Sequence, residues 1–196
     1  MGYNAAKNAN TTENRQGCVG CGMGATVGKI LGPKNAMKSG LGSATIEIGE
    51  LKVSAMVVVN SFGDVYDYKT NKQIAGVYDY NGKQMLNTLD IFKGEYNPVD
   101  LSMKNTTIGV IGTNAILNKA EGNKIAQMAH NGFARSINPI HTMFDGDTIF
   151  TMATNKVIAD VSLVGTIATE AMSMAITNAI VSSKSHGGLL SFKDIE

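Results

Sequence analysis

Tryptophan is absent from this chain, proline occurs only 3 times and cysteine only twice. No block of like charge exists either: 17 basic residues face 16 acidic ones, for a net charge of +1. That balance argues against nucleic acid or an anionic membrane surface as partner. The polar opening "MGYNAAKNANTTENRQG" has no apolar core of the kind a signal peptide needs. With two cysteines and no secretory signal, a reducing, cytoplasmic location is expected. The longest apolar tract, "VSLVGTIATEAMSMAITNAIV", contains Glu170 and many hydroxyls, so it reads as a buried helix rather than a membrane span. No internal repeat and no low-complexity segment is present.

What the sequence does have is apolar material and glycine. Hydrophobic residues make up 43% of its 196 residues, enough for the core of one domain spanning 1–196. The 22 glycines follow no collagen-like period, so they serve tight turns and close backbone approach. The 11 methionines suit an adaptable core or pocket lining.

Hydrophobic periodicity predicts a layered α+β fold. "SATIEIGE" (43–50) and "LKVSAMVVVN" (51–60) read as strands, the second too apolar to be exposed on either face. "YNGK" is a hairpin signal. Residues 84–104 read as an exposed connector, and "TTIGVIGTN" as a strand. A helix over 118–137 is signalled by Ile125, Met128, Ala129 and Phe133 on one face, with Asn118 as N-cap and Glu121 three residues on. Pro139 should stop it. "DTIFTMAT" (147–154) is a further strand, followed by the long small-residue helix.

Five places carry candidate chemistry. The glycine-rich loop "CVGCGMGATVGK" (18–29) misses the P-loop spacing, because three residues rather than four separate Gly24 from Gly28 and Ile30 follows the lysine. Its dinucleotide spacing also fails. Cys18-x-x-Cys21 could be redox-active or half a zinc site, but His130, His141 and His186 stand at no recognised ligand spacing, so no metal is assigned. A loop that approaches another segment closely fits better, with Lys29 its one notable side chain. Asn60 ends an apolar strand in "VVVNSFGD", either as a turn residue or as an amide donor to an oxyanion. Asp145 and Asp147, two apart in "FDGDT", fit a surface turn or a pair of carboxylates able to orient an amine. Asn105-Thr106-Thr107 stands at the lip of a strand, whereas the same tripeptide at 10–12 lies in a polar loop. It could be a plain strand entry. The sharper alternative is a bond that breaks itself. The Thr106 hydroxyl would attack the Asn105 carbonyl, water would hydrolyse the ester, and the freed α-amine, with a reference pKa of about 8, would serve as base.

In order along the chain, "GATVGK", "GLGSATI", "VVVNSFGDV" and "NTTIGVIGTNAILNKAEGNKIAQMAHNGFARSINPIHTMFDGDTIFTMAT" resemble the L-aminopeptidase/D-esterase family, which includes β-peptidyl aminopeptidases and nylon-oligomer hydrolases. The resemblance runs from about residue 2 to about residue 183 and is most specific over 105–154. It implies a four-layer αββα sandwich, shared with ornithine acetyltransferases. It also implies self-cleavage between Asn105 and Thr106, giving 1–105 and 106–196, with Thr106 as N-terminal nucleophile. Asp145 and Asp147 fall on the family's pair after the nucleophile, Asn60 on its oxyanion asparagine and Lys29 on its lysine. The Asn-Thr junction and the two aspartates resemble the nylon-oligomer branch.

The activity so implied is cleavage of amide bonds in short peptides, β-peptides or amino-acid oligoamides, with no cofactor. Acyl transfer of the ornithine acetyltransferase type and a catalytically inactive truncated subunit are the alternatives. A tetramer of cleaved protomers is the implied assembly. Family members are longer, and their N-terminal part, preceding the region that matches Met1, supplies sheet strands, pocket wall and a tyrosine. The resemblance therefore leads one to expect an exposed sheet edge, or a separate polypeptide that supplies that part.

Overall fold

The computed structural model describes residues 2–12, 14–94 and 105–195. Six elements form its scaffold: β1 (Leu41–Ile48), β2 (Leu51–Val58), β3 (Ile108–Ala115), α1 (Lys119–Ser136), β4 (Thr148–Val157) and α2 (Val161–Val181). The sheet order is β4-β3-β2-β1. β1, β2 and β3 pair antiparallel, while β3 and β4 run parallel and are joined through α1. Smaller pieces flank this sheet. Asp64–Tyr66 pairs with Gln73–Ala75 and with Ile137–Asn138. Tyr78–Asp79 pairs with Gln84–Met85 around the expected "YNGK" turn.

One face of the sheet is packed under the helices. Val53, Ala55 and Val57 alternate inward along β2 and meet Ile111 of β3, all buried. Above them lie Ala168, Met172, Ala175 and Ile176 of α2, and Ile125, Ala129 and Phe133 of α1. Each large side chain so enclosed contributes about 2 kcal/mol. Hydroxyls of α2 bond across to α1 and within the helix: Thr169 Oγ1 lies 2.9 Å from both Met128 O and Gly165 O, whereas the buried Thr177 Oγ1 has no hydrogen-bond partner among the described residues. α1 starts where expected, on a reciprocal capping box between Asn118 and Glu121.

The structure corrects two expectations. β2 is buried on one face only: Lys52 and Met56 are exposed on the other, as are Ile108 of β3 and Phe150 and Met152 of β4. No second sheet covers that face among the described residues, so the molecule presents an α layer on a β layer, one half of an αββα arrangement. The segment read as an exposed connector also has structure in its first part. Thr88–Lys93 is a short helix capped by the Asn87 side chain, and Thr88 is fully buried. Residues 95–104 of that segment lie outside the described residues.

Candidate active site

Strand register explains why distant residues meet. The parallel pairing of β3 with β4 sets Ile108 against Thr148. Continued backward past the strand starts, the same register brings Asn105 beside Asp145 in a parallel bridge. It also brings Thr107 to Asp147, whose Oδ1 accepts the Thr107 N–H at 2.9 Å. On the other side, β2 pairs Val58 with Ile108 antiparallel, which carries Asn60 to Thr106. The Thr106 N–H donates to Asn60 O at 2.9 Å. Three strand ends thus converge on the Asn105-Thr106 junction.

The junction itself is tightly held. Asn105 is buried, and its N–H donates to Phe144 O at 3.0 Å. Its carbonyl oxygen accepts two hydrogen bonds, from the Gly146 N–H at 2.8 Å and from the Thr106 hydroxyl at 2.6 Å. Two donors on one carbonyl oxygen polarise that carbonyl toward attack.

Lys29 and Asn60 are brought together by the glycine loop. Gly28 takes a φ of +73°, and a Cβ there would meet the Gly76–Val77 backbone at 1.9 Å, so only glycine fits. The loop is then zipped to the β2 exit, with Gly28 N–H donating to Gly63 O and Lys29 N–H to Phe62 O. The Lys29 ammonium donates to Asn60 Oδ1 at 2.6 Å, and the Thr26 N–H reaches the same oxygen at 3.3 Å. Because Oδ1 is occupied by donors, the amide orientation is fixed and its NH₂ end is left for another acceptor. Burial pushes the Lys29 pKa down to about 8, against the pull of the Asp145 charge and helped by the positive charge of Lys38.

The two aspartates do not act as a matched pair. Neither carboxylate hydrogen-bonds the Thr106 hydroxyl, which donates to Asn105 O instead. Asp145 accepts from the Phe62 N–H at 3.0 Å and from the Thr142 hydroxyl at 2.6 Å. Asp147 joins the Thr107 N–H to the His141 ring, whose Nδ1 lies 2.8 Å from Oδ2. Burial raises the Asp147 pKa, and the nearby Asp145 charge adds to that, opposed by the Thr107 N–H and by His141. A small apolar cluster of Ile30, Phe62 and Val77, with Phe144 against it, ties the lysine loop, the β2 exit and the "FDGD" loop together.

Thr106 lines a cleft of about 370 Å³ with Cys21, Gly24, Ala25, Val58, Asn60 and Ile108. Cys21 is therefore a wall residue. Cys18 is half-buried, its thiol directed at the carbonyls of Ser39 and Lys184. Both thiols are free. Lys29, Asn60, Asn105, Thr106, Asp145 and Asp147 thus form one locality, the grouping that the family resemblance implied. The Gly146 N–H, His141 and His130 were not foreseen. The histidines were weighed only as metal ligands, although His141 stands six residues before Asp147 in the same loop.

Residues 1–191 match the model of Peptidase family S58. An uncharacterised aminopeptidase of Mycobacterium leprae is 34% identical over 205 residues, covering 95% of this chain and 54% of that protein. A 6-aminohexanoate-oligomer endohydrolase of Paenarthrobacter ureafaciens is 31% identical over 168 residues, covering 80% and 44%. The chain spans about half the length of the curated relatives it matches. Among solved structures, a Burkholderia β-aminopeptidase aligns with a TM-score of 0.65 at 20% identity, over 98% of this chain and 56% of that one. The L-aminopeptidase D-Ala-esterase/amidase of Ochrobactrum anthropi, described as a variant of the Ntn hydrolase fold, aligns with a TM-score of 0.64 at 19% identity, over 95% and 50%.

Proposed function

Since the chain belongs to Peptidase family S58, we propose that it is a self-processing amide hydrolase whose nucleophile is Thr106. The observation that carries this reading is the Asn105 carbonyl oxygen, held by the Gly146 N–H at 2.8 Å and the Thr106 hydroxyl at 2.6 Å. In the first step Oγ1 of Thr106 adds to the Asn105 carbonyl carbon, and the Gly146 N–H stabilises the oxyanion. The C–N bond then breaks, the hydroxyl proton passes to the departing nitrogen, and an ester joins Asn105 to Thr106. Water hydrolyses that ester, giving an Asn105 carboxylate and a free Thr106 α-amine.

In turnover the α-amine takes the hydroxyl proton as Oγ1 attacks a substrate amide, returns it to the leaving amine, and water then hydrolyses the acyl ester left on Oγ1. The Asn60 NH₂, locked by Lys29, is the side-chain donor to the second oxyanion. Short amine-terminated amides are the proposed substrates, a reading supported by relatives named aminopeptidase and 6-aminohexanoate-oligomer endohydrolase. Intact mass measurement tests the first step. Purified wild type should give two fragments meeting between Asn105 and Thr106, and Thr106→Ala should give one uncut chain without amidase activity. A Thr106→Ala protein that is cut and active like wild type would overturn the proposal.

A further inference from the structure

We propose that His141 is a positioning residue for the self-cleaving junction: its ring holds Asp147 so that this carboxylate grips the Thr107 N–H, and His130 supports the other ring nitrogen of His141. The inference rests on the processing reading above and adds two residues to it.

The geometry is a chain of four groups. It begins at the Thr107 backbone, immediately after the proposed nucleophile, whose N–H donates to Asp147 Oδ1 at 2.9 Å. The Asp147 side chain is only 1% exposed, so its charge needs donors. His141 supplies two to Oδ2, the ring Nδ1 at 2.8 Å and its own backbone N–H at 3.3 Å. To bring both to one oxygen, His141 adopts a φ of +57°, which L residues rarely take up. Its Nε2 then meets Nδ1 of His130 on α1 at 3.2 Å. The His130 ring is held edge-on against Phe133, with centroids 5.4 Å apart.

Chemistry fixes the tautomers. A carboxylate only accepts, so His141 carries its proton on Nδ1, and its bare Nε2 requires an N–H from His130 Nδ1. If His141 gains a proton, its Nε2–H donates instead and His130 accepts. Adding a proton to both rings sets two N–H groups face to face and breaks the link. The His141 and Asp147 charges act on His130, and the Asp145 and His141 charges act on Asp147. Burial and the His141 charge both hold His130 below the usual histidine range, against the pull of the Asp147 charge. Asp147 thus keeps a donor on Oδ2 through neutrality, although its carboxyl is buried.

Variants separate positioning from simple packing. Asparagine favours the left-handed backbone and can offer Nδ2–H where His141 offers Nδ1–H. Processing followed by intact mass at pH 5 to 8 should be at least about ten-fold slower in His141→Ala than in wild type. His141→Asn should recover most of the pH 7 rate. The proposal is overturned if folded His141→Ala matches wild type in rate and pH profile, or if folded His141→Asn is as slow as His141→Ala. Ring ¹⁵N spectra of the Thr106→Ala chain give a readout independent of cleavage. Asp147→Asn made in that chain should move the His141 Nδ1–H signal, and an unmoved signal overturns the relay. A wild-type chain that stays uncut at every pH overturns the processing reading instead, and the ring spectra still decide the relay.

Discussion

At Gly146 a missing side chain decides what the junction can do. A Cβ there would lie 3.0 Å from Thr106 Oγ1, closer than ordinary contact, and 3.8 Å from the Asn105 carbonyl oxygen. Its backbone conformation is open to other residues, so the constraint is space at the hydroxyl rather than strain. Gly146→Ala should therefore fold with nearly unchanged thermal stability but push Oγ1 off its present position by a few tenths of an ångström. Orientation errors of that size slow intramolecular attack, and about a ten-fold slower processing rate is expected by intact mass. Processing at the wild-type rate would show that the hydroxyl does not need this space. At this scale the sequence was informative where residue type carries the chemistry. A hydroxyl after Asn105, an amide at Asn60, an ammonium at Lys29 and carboxylates at Asp145 and Asp147 were visible as residue types, but the family resemblance rather than local pattern singled them out. The Gly146 N–H was not visible, because any residue but proline supplies one, and only the register of two strands aims it at Asn105. The bonding of the aspartates was hidden for the same reason: spacing put them on one face, whereas their partners come from Phe62, Thr107, Thr142 and His141.

Among the elements, the long ones were legible because their periodicity extends over many residues: α1 with its capping box, α2, and the strands β1 to β4. The short helix Thr88–Lys93 was not, since six residues carry too little periodicity and its anchor lies elsewhere in the chain. That anchor is Asp64, fully buried at the start of a three-stranded sheet. Its carboxylate accepts from the Val77 N–H at 2.9 Å, the Thr88 N–H at 2.6 Å and the Thr88 hydroxyl at 2.6 Å. Burial nevertheless raises its pKa from 3.8 to about 6. The folded state therefore binds the proton more tightly than the unfolded state. The stabilising contribution is fully present below pH 3.8 and is lost as pH rises through about 6, a change of about 3 kcal/mol. Asp64→Asn removes this titration and sets an NH₂ against donors. Urea unfolding at pH 4 to 7 should find the variant less stable throughout, with the gap widening as pH falls from 6 to 4. A gap that stays constant with pH would show that Asp64 titrates alike in both states.

The whole molecule presents two unlike sheet faces, and this is where sequence was least able to speak. The run "LKVSAMVVVN" is apolar at nearly every position, so pattern alone implied cover on both sides. Only tertiary structure assigns Val53, Ala55 and Val57 to the helix side and leaves Met56 on the other. The open side groups Met56, Ile108, Phe150 and Met152, at 42%, 51%, 59% and 63% exposure. A contiguous apolar surface of this kind binds hydrophobic dyes and lowers solubility. Because Phe150 and Met152 sit on β4, the edge strand, and already face solvent, replacing them removes little buried area. Phe150→Thr with Met152→Thr keeps residues suited to a strand and should change unfolding free energy by less than about 1 kcal/mol. The same pair should cut anilinonaphthalene sulfonate fluorescence by half or more and raise the concentration at which light scattering appears. Should the double variant instead lose several kcal/mol with unchanged dye binding, those side chains are buried in the solution species and the open face is covered there.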